Sequence, residues 1–317
     1  MENKRNWKQT INTLMLVLIV IAVAIIFSSL NHAFASKTNI MNIVRQVSVN
    51  GILAVGMTLV CLTGGIDLSV GSILGYAGIW TATFAQKVHD PVMPVPVIFI
   101  LAVLIGLVMG LVNGYFVSYW RAPAFAVTLA MLTAGRGLTY IHCGGKPVSQ
   151  LTDAFLAIGK TNIGGILPAP TLFLAIVFIF FSILLSKFKI GRYIYAVGGN
   201  EQAAMVSGIN VKFITMMVYV FSGICCGIAA FVHTSRVSAG LAPAGDGYEL
   251  DAIAATVIGG TSLAGGSGKL WGTLLGVLLL GMVNTGLDLL NVNSFYQQVA
   301  KGAIILGAVL LDSKRSS

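Results

Sequence analysis

The sequence predicts an all-α fold, a polytopic membrane helix bundle, and three observations predict it. Hydrophobic residues make up 56% of the 317 and charged residues only 9%, with a mean hydropathy of +0.90. A soluble domain carries about 25% charge, so this chain is solvated by lipid. Apolar runs of bilayer length, about 20 residues each, recur from end to end. Basic residues also collect on one side once those runs are threaded alternately through a bilayer.

About ten runs qualify: 14–30, 41–63, 69–85, 94–119, 124–142, 168–185, 213–233, 251–263, 270–290 and 295–311. The first follows Lys4, Arg5 and Lys8, and Ala33-Phe34-Ala35 resembles a signal-peptidase site. At ~17 residues the run exceeds a signal h-region of about 7–15, so a retained first helix is expected, with a cleaved signal as the alternative. One unbroken helix over 41–85 would be ~67 Å, too long for a single crossing, so the chain turns or breaks near Asp67. The eighth run is short and reads as re-entrant or broken. Ten crossings place both termini on one side, the cytoplasmic one by charge. Lys4, Arg5, Lys8, Arg121, Lys187, Lys189, Arg192, Lys212, Lys269, Lys314 and Arg315 fall inside, eleven against the five of Lys37, Lys87, Lys146, Lys160 and Arg236 outside. Arg45, Arg136 and Lys301 lie within or at the edge of spans and do not vote.

The net charge of +9 is therefore a topology signal and not a nucleic-acid footprint. Cys61, Cys143, Cys225 and Cys226 show no metal-type spacing, and three of them sit in apolar runs as small hydrophobes. His32, His89, His142 and His233 fall at outer ends of spans and receive no ligand role. The segment 143–167 is either a lid or a plain loop and is too small for its own core, so 1–317 reads as a single membrane domain. Glycines at every fourth position (Gly106, Gly110 and Gly114; Gly71 and Gly75; Gly223 and Gly227; Gly272 and Gly276) clear helix faces for close approach. A faint internal echo links 110–113 with 281–284, too short to establish a duplicated half.

The polar passage 187–212 contains a short helix with its punctuation written out. Asn200 is a good N-cap, Glu201 suits the positive end of the dipole, and Gly208 can take the left-handed conformation that ends a helix. Ala203, Ala204 and Val206 would give this two-turn stub an apolar contact surface. It is either a peg for a partner protein or a solvated loop.

Intramembrane ionisable groups are the default functional candidates. Asp67 either lies beside a translocation path or caps the helix that begins near Ser69, and the two are compatible. Tyr248, Glu249 and Asp251, with Asp246, bring carboxylates and a ring to the mouth of the short span. That chemistry suits a sugar or a cation, and it equally suits a bare helix N-terminus. Asn113 and Asn284 are amides deep in spans that either bridge helices or line a polar path. No HExxH, GxSxG or paired acid–histidine set occurs, and Gly268-Lys269 lacks both the hydroxyl residue and the first glycine of a phosphate loop.

Three long motifs carry a resemblance: GGIDLSVGS (64–72), GRYIYAVGGNEQAAMVSGINV (191–211) and GYELDAIAATVIGGTSLAGGSGKLWGTLLG (247–276). With SVNGILAVGMTLV and NSFYQQVAKGAIILGAVLLD they resemble the permease subunits of bacterial monosaccharide ABC importers, over most of 46–312. The resemblance implies a type II-like importer permease in the cytoplasmic (inner) membrane, a second permease copy, a cytoplasmic ATPase that holds the ATP and magnesium, and an extracytoplasmic sugar-binding protein. No cofactor is implied in this chain. It further implies that 198–208 is the coupling helix, with Gly198, Gly199, Asn200, Glu201, Ala203, Ala204, Ser207 and Gly208 meeting the ATPase. An importer permease for ribose or a related monosaccharide is thus expected. A secondary carrier driven by an ion gradient, with Asp67 as its coupling site, is the alternative. A scaffold without transport and an intramembrane enzyme stand further off.

Overall fold

The computed structural model describes residues 2–88, 92–165 and 167–316. His89 lies outside the described residues, as do the side chains of Lys4, Arg5, Lys8, Lys314 and Arg315. Among the described residues the fold is mainly helical, with one small hairpin and two isolated β-bridges, Gln86 to Leu151 and Val148 to Gly240. In chain order the helices are α1 (Glu2–Leu30), α2 (Lys37–Leu62), α3 (Val70–Phe84), α4 (Val95–Tyr119), α5 (Ala124–Cys143), α6 (Asp153–Lys160) and α7 (Ala169–Lys187). There follow α8 (Lys189–Gly199), α9 (Glu201–Val206), α10 (Val211–Val237), α11 (Tyr248–Ile258), α12 (Leu270–Leu289) and α13 (Ser294–Ser316).

Among the described residues six helices, α2, α4, α5, α7, α10 and α12, are long and apolar enough to cross a membrane. The remaining expected spans each contain a helix that falls short of that standard. The apolar part of α1 is Leu14–Leu30, and α13 is more polar. α3 has only 15 residues, about 22 Å at 1.5 Å each, because the preceding break at 63–69 takes up the rest of its depth. α11 has 11 residues for a related reason: it follows a non-helical strap, 239–247.

α2 and α10 form the centre. The apolar window of α2 is 78% buried, against 17% for α5, so α5 turns most of its apolar face outward. The glycine spacing does what the sequence predicts at two places. A Cβ on Gly106 would strike the carbonyl of Gly223, and one on Gly114 the carbonyl of Met216, so α4 and α10 touch backbone to backbone. Gly272 and Gly276 meet Gly259 and Ala255 of α11 in the same way. Gly71 and Gly75 differ. They face the strap and not a helix, with Gly245 against Gly71 and Ala244 against Gly75.

The segment 143–167 holds more structure than a plain loop. α6 docks on α10, where the Ser235 hydroxyl donates to Phe155 O at 2.6 Å and accepts from Gly159 N at 2.7 Å. Beyond it, β1 (Asn162–Ile163) pairs antiparallel with β2 (Leu167–Pro168). The short span of sequence concealed this because its helix has only eight residues.

Candidate functional site

The polar passage folds into two helices set against each other. α8 is amphipathic and buries Gly191, Ile194 and Val197. α9 follows with the predicted caps. The Asn200 carboxamide oxygen accepts from Ala203 N at 2.9 Å, and Gly208 at φ +82° ends the helix. The closing bonds run from Ile209 N to Ala204 O and from Gly208 N to Met205 O. One detail of the expected contact surface is corrected. Ala204 points inward at 4% exposure, since a two-turn helix lying on a surface must bury one row. Val206, 90% exposed, and Met205 form the outward apolar tip with Ala203.

Beneath α9 lies a junction of three glycine pairs: Gly64-Gly65 at the end of α2, Gly198-Gly199 at the end of α8, and Gly265-Gly266 between α11 and α12. A Cβ on Gly198 would collide with Leu62 O and stand 2.6 Å from Gly266 N. One on Gly265 would stand 2.7 Å from Gly198 O and 2.9 Å from Gly64 N. Gly266 N donates to Leu62 O at 3.0 Å, and the Tyr195 hydroxyl of α8 donates to Gly268 O at 2.9 Å. Burial pushes the Tyr195 phenol above its ordinary pKa, so it stays a donor. The end of α8 therefore meets both loops through main-chain atoms, with the Tyr195 hydroxyl as a further tie. A Cβ on Gly199 would enter open space, although its backbone stands close to Gly266.

From this junction the chain enters the break at 63–69. Asp67 is fully buried. Its Oδ1 accepts from Ser69 N at 3.0 Å and from Ser69 Oγ at 2.5 Å, and its Oδ2 from Ser222 Oγ of α10 at 2.9 Å. Asn113 Nδ2 of α4 donates to Ser69 Oγ at 2.8 Å. Thr128 of α5 donates to Ile66 O at 3.3 Å. Three helices thus hold the break, and Asp67 sits three residues ahead of Val70, the first residue of α3, accepting from the N–H of the N-cap residue Ser69.

The strap is fastened by a residue that the topology count set aside. Arg136 of α5 donates to Ala242 O and to Ala244 O, and pairs with Asp246 at 2.5 Å. An arginine in the middle of an apolar run was the available signal. At the start of α11, the Tyr248 hydroxyl lies 3.4 Å from His233 Nε2, and Glu249 packs against Gly71. Asp251, 6% exposed, pairs with Lys301 of α13 at 3.0 Å. Asn284 is buried on α12 and is not joined to this group by any hydrogen bond among the described residues. The structure thus joins Asp67 with Asn113 at the break, and gathers Tyr248, Glu249 and Asp251 at the foot of the strap. No group of three or more metal-ligating side chains occurs among the described residues.

Comparison with known proteins gives a consistent result. Residues 39–310 match the family described as branched-chain amino acid transport system / permease component. The ribose import permease protein of Bacillus subtilis is 45% identical over 295 residues, 92% of this chain and 90% of that one. Its counterpart in Escherichia coli K12 is 43% identical over 312 residues, 98% of this chain and 95% of that one. The D-allose transport system permease protein of the same organism is 37% identical over 295 residues, 93% and 89% of the two chains. No solved structure matches the chain significantly.

Proposed function

This chain belongs to the branched-chain amino acid transport system / permease component family, and on that premise we propose that it is the membrane subunit of an ATP-driven importer for ribose or a closely related monosaccharide. The observation that carries the reading is the 45% identity to a ribose import permease across nearly the whole chain. It is a transport subunit and not itself an enzyme, in keeping with its permease relatives. The family reading brings with it an ATPase and a sugar-binding protein as partners. The finer proposal is a type II-like permease of about ten crossings in the bacterial cytoplasmic membrane, a single domain over 1–317, both termini cytoplasmic, working with a second copy. ATP and magnesium belong to the ATPase.

The mechanism proposed for the coupling passage follows from its contacts. The ATPase grips α9 by the exposed tip of Ala203, Met205 and Val206, beside Glu201 and Ser207. Closure of the ATPase pair displaces α8 and α9 together. Because Gly198 lies backbone to backbone on Leu62 and Gly266, the displacement passes to the break at Asp67 and to the loop that joins α11 and α12. Those two segments interrupt crossings, and re-angling them alternates access between the two faces. Asp67 and Asn113 fix the break, and Tyr248, Glu249, Asp251 and Asn284 are the candidates for the path itself, through hydroxyl hydrogen bonds and ring stacking.

Reconstitution separates this from an ion-gradient carrier using Asp67. In proteoliposomes, ribose uptake is expected only when the ATPase, the binding protein and ATP are present. Uptake by this chain alone under a proton or sodium gradient would overturn the proposal.

A further inference from the structure

A cavity of about 480 Å³ opens beside α9, between the C-terminal end of α4, the turn 120–123 and the first turn of α10. Its walls include Ser118, Arg121, Glu201, Asn210, Lys212 and Tyr219. Arg121 and Lys212 make no ion pair among the described residues, and the Lys212 ammonium stands 5.8 Å from the centroid of the Tyr119 ring. The first turn of α10 faces the same space and adds the positive end of a 27-residue helix. Two cations against the single carboxylate of Glu201 leave the site net positive. That balance fits a singly charged phosphodiester.

The surroundings say where such a group comes from. At the same end of α4, exposed Tyr119 lies under the Lys212 ammonium, stacks on Tyr115 and precedes Trp120, rings of the kind that settle at the level of lipid headgroups. Basic pockets between membrane helices on the cytoplasmic side are suited to anionic headgroups. We propose that this cavity binds the phosphate of an anionic phospholipid, with Arg121 and Lys212 as its ligands, next to the coupling helix. The inference does not depend on what the importer carries.

Trp120 supplies the reporter. The full chain, with Trp7, Trp80 and Trp271 replaced by phenylalanine, is placed in nanodiscs of phosphatidylcholine containing brominated phosphatidylglycerol or brominated phosphatidylcholine at equal fractions. Quenching of Trp120 is expected to favour phosphatidylglycerol, and Arg121→Gln or Lys212→Gln each to reduce the apparent lipid affinity about fivefold. Arg121→Lys retains the preference, which separates lost charge from lost fold. Inorganic phosphate at millimolar concentration leaves the preference intact if the ligand is lipid. Its abolition by free phosphate would assign the site to a soluble anion and overturn the lipid source. Equal quenching by both brominated lipids, or a preference that survives Arg121→Gln/Lys212→Gln, would overturn the site itself.

Discussion

The glycine junction under α9 and the polar break around Asp67 lie one after the other on the same stretch of chain, and they are held together in opposite ways. At the junction, Gly198, Leu62, Gly265 and Gly266 meet through main-chain atoms, with no room for a single added carbon. At the break, one buried carboxylate gathers Ser69 and Ser222, and Ser69 in turn receives Asn113. A backbone contact transmits displacement rigidly and has no alternative rotamer. A side-chain network sets a geometry that can be loosened one hydrogen bond at a time. The lesson is that, under the proposed mechanism, the part nearest the motor is the stiff one and the part proposed to re-angle within the membrane is the adjustable one.

Substitutions on the two sides of that comparison should fail differently. The largest effect is expected of Gly198→Val, whose side chain would enter the space of the Leu62 carbonyl. Overpacking of this kind costs about 1–3 kcal/mol, enough to shift a conformational equilibrium roughly five- to hundredfold. Sugar-stimulated ATP hydrolysis by the assembled importer should fall by about tenfold or more at the centre of that range. Gly199→Ala, in open space one residue on, serves as the matched control and should keep most of the activity. Equal losses in the two variants would mean that the junction is not the transmitting contact.

A smaller effect on coupling is expected of Asp67→Ala. It leaves the Ser69 and Ser222 hydroxyls and a helix-terminal N–H without their acceptor in the interior, at about 1–3 kcal/mol for each orphaned donor that finds no water. Thermal unfolding in detergent should show a clear drop in midpoint, and Asp67→Asn, which keeps an acceptor oxygen, a smaller one. If Asp67→Ala instead left the midpoint unchanged and abolished transport, the residue would belong to the path and not to the support of the break.

The helical membrane class, the positions of all ten helices behind the expected spans, and the caps of α9 were legible in the sequence. Each rests on local signals: an apolar run, an Asn followed by a helix former, a Gly two residues past the end. The need for a break near Asp67 was legible too, since 41–85 is too long to cross once. What held the break was not. Ser222 and Asn113 are 155 and 46 positions from Asp67 in the chain, and polar residues in an apolar run carry no address for their partners. The strap was hidden for a related reason. Residues 239–247 read as a loop ahead of a short span, and what draws them down beside α3 is remote in sequence: Arg136, more than a hundred positions upstream, and the backbone bridge from Val148 to Gly240. Gly71 and Gly75 pointed to close packing, but glycine clears space without saying whether a helix or an extended segment will occupy it. The inward turn of Ala204 likewise depends on how α9 lies against the rest of the bundle.

The central claim is that α9 is the point through which a separate motor drives this bundle. Deleting Glu201–Val206 and measuring ATP hydrolysis by the reconstituted importer, with and without the sugar-loaded binding protein, tests it most directly. The account predicts that stimulation by sugar disappears while the deleted chain keeps its thermal unfolding profile. Stimulation that persists at the level of the intact chain would contradict it.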